Sequence, residues 1–182
     1  MALAQKIIPH YTYDDYVHWE GRWELIEGHP IAMSPLPVPK HQRVTASLIR
    51  EFGNALHRSN CKKSNVYDPI DYKIKADTII QPDVLIVCEK INKAFLDFPP
   101  ALVVEVLSPS TAIRDRYTKY EIYQQQGVRY YLIVDLDKNA VEIYALINGI
   151  YALQNAAVEH EFEFFLDDEC AVKISFKELA WE

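Results

Sequence analysis

A chain of 182 residues, 49% hydrophobic and 25% charged, has the composition of an ordinary globular domain with room for one sizeable core. No apolar run approaches the roughly 20 residues of a membrane helix, and the first residues lack the apolar core and cleavage pattern of a signal peptide. A single cytoplasmic domain over residues 1–182, without membrane contact, is the expectation.

The formal net charge of −7 argues mildly against a nucleic-acid binder. The charge is uneven, however. Residues 40–63 carry six basic side chains against one acid, Glu51, whereas residues 155–182 carry eight acids against Lys173 and Lys177. Such a basic stretch is either a local phosphate-binding face or a solvated helix face, and the charge pattern alone favours the second. Cys61, Cys88 and Cys170 are scattered and odd in number, so buried free thiols are expected and a disulfide is not. The 6 histidines show no zinc-ligand spacing.

In chain order, Thr12 with Asp15 reads as a variant capping box opening a short helix through Trp19. Residues 22–33 read as a β-hairpin turning at Gly28, His29 and Pro30, with Glu24 in its first strand. Residues 34–39 form a proline-rich connector. A helix over 41–59 places Val44, Leu48, Phe52, Ala55 and Leu56 at helical spacing, with His41 near its N-terminus. A lone histidine there is more often a surface or capping residue than a catalytic one. Short strand fragments follow at 66–67 and 70–74.

Two apolar strands, 82–88 and 101–107, read as buried on both faces at the centre of a sheet. Each carries a carboxylate that packing alone would not select: Asp83 at the mouth of the first, Glu105 inside the second. A buried carboxylate is costly unless it is paired or binds a metal. Asp83 and Glu105 on adjacent strands would make a hard-oxygen site suited to magnesium. The alternatives are a structural salt bridge for Glu105 and a turn residue for Asp83.

A helix over 112–126 stops at Gly127, and a strand over 128–135 follows. Strand, helix and strand together fit a parallel crossover. A hairpin over 140–153 turns at Asn148 and Gly149, an edge strand spans 159–166, and residues 174–179 form a terminal strand-to-helix piece. The expected fold is α/β, with a mixed central sheet flanked by helices and additional β-hairpins. No G-x-G-x-x-G or P-loop is present, which disfavours a nucleotide-binding fold.

Residues two apart on a strand face the same way. In an Asp…Glu-x-Lys nuclease core, a lysine would stand at position 107, where this chain has Leu107. Lys119 on the following helix is the replacement candidate, on one face with Asp115 and Ile122 and flanked by Tyr123. The alternative is an exposed Asp115–Lys119 pair worth about a few tenths of a kcal/mol.

The stretches 24–28, 81–83 and 103–111, then Asp115, Lys119, Tyr123 and 127–135, resemble the Uma-type family of restriction-endonuclease-like proteins in the PD-(D/E)XK superfamily. The resemblance implies a restriction-endonuclease-like core holding Mg2+ or Mn2+. It implies Asp83 and Glu105 as metal-binding acids, Glu24 as the acid contributed from the N-terminal part, and Lys119 as the migrated lysine. It further implies that Tyr123 supports that lysine and that Gln81 lines the site. The resulting expectation is metal-dependent hydrolysis of phosphodiester bonds in nucleic acid, DNA foremost. Asp83, Glu105 and the Val106 carbonyl would hold the ion, with His41 as a binding or supporting residue. The rival expectation is an inactive nuclease-like scaffold, a binding or regulatory module compatible with a homodimer. A small-molecule metal hydrolase is a third.

Overall fold

The computed structural model describes residues 8–33, 38–155, 161–179 and 181. Residues 34–37 of the proline-rich connector lie outside that set.

The chain opens with helix α1 (Tyr13–Tyr16), where the Thr12 N–H donates to the Asp15 carboxylate at 2.8 Å as the capping-box reading expects. The helix ends before Trp19, whose ring turns onto Tyr11, Tyr16 and Trp23. Strands β1 (Trp23–Ile26) and β2 (His29–Ala32) form the expected hairpin, but its turn lies at Glu27 (φ 49°) and Gly28 (φ 75°). A tight turn of this kind needs positive φ at both central residues. Proline cannot supply it, so Pro30 moves onto β2, opposite Leu25. β2 is an edge strand, where a missing N–H is tolerated.

Helix α2 (Pro39–Arg58) starts two residues earlier than the apolar periodicity suggests, with a proline in its first turn. It buries Val44, Leu48, Phe52, Ala55 and Leu56. Strands β3 (Asn65–Tyr67), β4 (Tyr72–Lys75), β5 (Thr78–Ile80), β6 (Val84–Val87) and β7 (Leu102–Val106) follow. The three-residue β5 gave no separate sequence signal. The next helical segment divides into α3 (Ala112–Arg114), a π-helical turn (Asp115–Lys119) and α4 (Tyr120–Gln126). Its outer bounds match the expected single helix; the π turn was not foreseen. The segment leads to β8 (Tyr130–Asp135), the hairpin β9 (Ala140–Ile147) and β10 (Ile150–Asn155), and the hairpin β11 (Glu161–Phe165) and β12 (Ala171–Ser175). Asn148 (φ 52°) and Gly149 (φ 80°) make the β9–β10 turn as expected.

The central sheet runs β10-β9-β8-β7-β6-β3, and β7 with β8 is its parallel pair, joined by the helical crossover. The other pairings in this sheet are antiparallel. β6, β7 and β8 are buried along their whole length. Alternation on β7 sends Val104 and Val106 into the core shared with α2, and Val103 into the core shared with Tyr123 of α4. Glu105 points with Val103. A second sheet, β2-β1-β5-β4, brings Glu24 toward the same region.

The expectation of free cysteines is overturned. Cys61 and Cys170 form a disulfide with Cα atoms 5.3 Å apart. Cys61 follows the end of α2, and Cys170 precedes β12, which packs on that helix. A sequence separation of 109 hid the pairing. Cys88 is the free thiol of the three, partly buried. No helix among the described residues is long and apolar enough to cross a membrane.

Candidate active site

The mouths of β6 and β7 open into a pocket of about 690 Å3 that Asp83, Glu105, Val106, His41, Arg114 and Lys119 help to line. Asp83 stands just before β6. Its Oδ2 accepts the Val106 N–H at 2.8 Å and lies 3.4 Å from His41 Nε2. His41 is not the surface residue that its position suggested: it is 7% exposed. Burial works against its charged form, but Asp83 and the Val106 backbone outweigh burial and raise its pKa above the ordinary value.

Glu105 is buried, and both hydrogen bonds it accepts among the described residues fall on Oε1, from Tyr123 Oη at 2.6 Å and Lys119 Nζ at 3.0 Å. Oε2 is left without a protein hydrogen bond in that set. Burial drives the Glu105 carboxyl well above the usual carboxylate range; Lys119 opposes the rise, while Asp115, Asp83 and Glu24 add to it. Tyr123 is fully buried and does not line the pocket; it acts through Glu105.

Lys119 is 2% exposed, so the exposed-pair alternative does not hold. Its Nζ lies 2.7 Å from Glu24 Oε1, 3.0 Å from Glu105 Oε1 and 3.7 Å from Asp115 Oδ1. Burial disfavours the ammonium, yet these three carboxylates hold its pKa above that of an ordinary lysine. Asp115 is raised as well, chiefly by burial. The π turn helps direct Asp115 and Lys119 inward. Such a turn diverts a backbone carbonyl from its regular partner; here the Asp115 carbonyl accepts the Tyr131 hydroxyl at 2.8 Å.

Glu24 is fully buried and does not reach the pocket wall. It is an anchor: Oε1 accepts the Gln81 N–H at 3.0 Å as well as Lys119, and Oε2 lies 3.4 Å from Arg114 Nε. Gln81 departs from expectation. It does not line the pocket, because its side chain turns to Asp71, Tyr16 and Arg22, and only its backbone N–H serves the site. Leu107 packs into the core on the α4 side and helps to line the pocket.

Arg114 was missed by sequence reasoning. On a regular helix, residues five apart do not share a face, so nothing tied it to Lys119. The π turn brings both side chains to the pocket.

Among the described residues, no three His, Cys, Asp or Glu side chains form a metal-binding cluster. A magnesium ion does not need three. It keeps several waters and is commonly held by one or two carboxylates plus substrate phosphates. The hard-oxygen donors Asp83, Glu105 and the Val106 carbonyl fit that pattern. Charge fits too: among the described residues, the carboxylates of Glu24, Asp83, Glu105 and Asp115 as a group form direct ion pairs with two permanent cations, Lys119 and Arg114.

This arrangement, a mixed sheet with an acid at the mouth of one central strand and a second acid within the next, is the restriction-endonuclease-like nuclease fold. A crystal structure from Anabaena variabilis, described as that of "a putative nuclease belonging to DUF820", matches with a TM-score of 0.73 at 16% identity, over 93% of this chain and 98% of that one. The chain belongs to the Uma2 family, described as "Putative restriction endonuclease", which it matches over residues 13–171. An uncharacterized Synechocystis protein, slr1290, is 30% identical over 146 residues, 75% of this chain and 74% of its own length.

Proposed function

We propose that the chain is a metal-dependent nuclease that hydrolyses phosphodiester bonds in DNA. The observation that carries the reading is the convergence of Asp83, Glu105 and Val106 on one pocket, with Lys119 Nζ 3.0 Å from Glu105 Oε1. The family description points to a nuclease, and its naming of restriction endonucleases supports DNA as the substrate.

Asp83, Glu105 and the Val106 carbonyl would hold Mg2+ or Mn2+. Bound there, the ion would supply a Lewis acid that lowers the pKa of a water and stabilises charge on the phosphoryl oxygens. The chain's own residues do the positioning. The Val106 N–H and His41 fix the Asp83 carboxylate. Tyr123 and Lys119 clamp Oε1 of Glu105, leaving Oε2 for the pocket. Lys119 has three N–H donors. Two are directed at Glu24 and Glu105, and the third orients the attacking water or neutralises developing charge on the phosphate.

The test is calorimetric titration of magnesium and manganese, with and without DNA, into wild type, Asp83→Asn and Glu105→Gln, paired with plasmid cleavage. Metal binding should be lost in both variants, and cleavage should fall by about 100-fold or more. Wild-type protein that binds no metal even with DNA present, and cuts nothing, would refute the reading in favour of a non-enzymatic scaffold.

A further inference from the structure

Five other cations line the pocket beside Arg114, and each has a protein acceptor. Arg22 donates to Gln81, Lys40 to the Leu136 carbonyl at 2.7 Å, and Arg116 to Glu142 at 2.8 and 3.0 Å. Lys138 pairs with Asp135 at 3.1 Å, and Lys119 is held by Glu24 and Glu105.

Arg114 differs. Its side chain is 18% exposed, and among the described residues its guanidinium makes no hydrogen bond. Nε is buried and faces Glu24 Oε2 at 3.4 Å, and that oxygen is also buried without a hydrogen-bond partner. A guanidinium carries five N–H donors in a planar fork. Nε is the buried donor left unspent, and the terminal N–H groups of the fork likewise make no hydrogen bond among the described residues, which leaves them free for a partner in the pocket. Glu24 supplies the charge that keeps the arginine at the pocket wall, but it satisfies none of the donors.

We propose that Arg114 is the phosphate-binding arginine of this pocket, its fork engaging the non-bridging oxygens of a phosphate group beside Asp83 and Glu105. The chemistry favours a phosphate because guanidinium and phosphate match in a bidentate geometry that lysine cannot reproduce. The assignment rests on the nuclease reading for its substrate, though not for its anion. Glu24 thereby couples the two cations, with Lys119 on Oε1 and Arg114 beside Oε2.

The experiment measures two probes on wild type, Arg114→Gln, Arg114→Lys and the distant control Lys173→Gln. One probe is a fluorescein-labelled DNA duplex, followed by anisotropy in calcium over a salt series. The other is inorganic phosphate, followed by calorimetry. Arg114→Gln should weaken DNA binding by about tenfold and flatten the salt slope by about one. Arg114→Lys should fall between, and the control should match wild type. The lysine variant keeps the charge beside Glu24 and supplies the comparison if the glutamine variant does not fold. DNA affinity and salt slope unchanged in both variants would overturn the assignment while leaving the nuclease reading intact. Phosphate binding that is lost in Arg114→Gln, in a protein that binds no DNA, would sink the DNA reading and support the arginine. Wild-type protein that binds neither probe would overturn the assignment.

Discussion

Replacing Lys119 by methionine removes the one ammonium that three buried carboxylates share. Glu24, Glu105 and Asp115 lie 2.7, 3.0 and 3.7 Å from Nζ, and all are 3% exposed or less. Breaking a buried pair by deleting one partner costs about 3–5 kcal/mol, because the remaining charge is stranded. The lower end applies here, since Glu105 and Asp115 already have raised pKa values and can each take up a proton. A loss of about 3 kcal/mol lowers the melting temperature by about 6–12 °C in a chain of this size. The sign of the pH dependence follows. A carboxyl whose folded pKa is raised weakens the fold once ionised, and the penalty disappears as pH falls through that pKa. Deleting Lys119 raises both carboxyls further, so the variant's deficit is larger at about pH 8 than at about pH 5. The wild-type contribution of Lys119 is complete over this range, because the range lies below the unfolded lysine pKa of about 10.4 and the folded pKa is raised above that. Urea unfolding followed by tryptophan fluorescence measures both quantities. A deficit below about 1 kcal/mol at the higher pH, or one that does not shrink on acidification, would refute the account of a shared buried charge.

Two further predictions concern stability away from Lys119. The Cys61–Cys170 bridge closes a loop of 109 residues, so Cys61→Ser should cost about 2–5 kcal/mol. Thermal melts with and without dithiothreitol test this: reductant should lower the wild-type transition and leave the variant unchanged, and insensitivity of both refutes it. Burial pushes the Glu142 carboxyl up, but hydrogen bonds from Arg116 and Tyr144 outweigh it and lower its pKa; Asp135 is lowered against burial by Lys138 and backbone N–H groups. Their contribution is present above the unfolded carboxylate pKa of about 4 and is lost as pH falls through the lower folded values. Arg116→Met should therefore move the acid-unfolding midpoint of the protein to higher pH, and an unmoved midpoint would count against it.

The sequence revealed most about the central sheet. Unbroken apolar runs marked β6, β7 and β8 because strands buried on both faces leave little room for polar residues. It also marked Asp83 and Glu105, since a carboxylate inside such a run conflicts with the local pattern, and such conflicts concentrate at functional sites. Contacts set by tertiary packing were not legible. His41 looked like a cap because nothing in the helical period announces a strand mouth opposite it. Gln81 could have served the site through its side chain or its backbone, and only the course of β5 decides between them. The disulfide depended on the docking of β12 against α2, and no local pattern encodes contact across so many residues.

The π turn explains how a lysine can serve Glu105 from outside the strand. At position 107, a lysine would lie two residues beyond Glu105, just past the end of β7, with its chain running beside the carboxylate. Lys119 approaches from the helix instead and has to cross the hydrophobic layer that Val103, Tyr123 and Tyr131 fill. A lysine stem is apolar enough to be buried there, but its ammonium must meet charge at the end of the path. Glu105 alone would meet it with one carboxylate whose own pKa is raised by burial. Glu24, delivered by a different sheet, gives the ammonium a second partner at 2.7 Å, and the Gln81 N–H fixes that carboxylate in turn. A lysine held on this path is therefore served by a second acid, and that acid also lies beside Arg114. Glu24 and Arg114 are thus joined to Lys119 by the same electrostatic requirement, although 90 residues separate them in the chain.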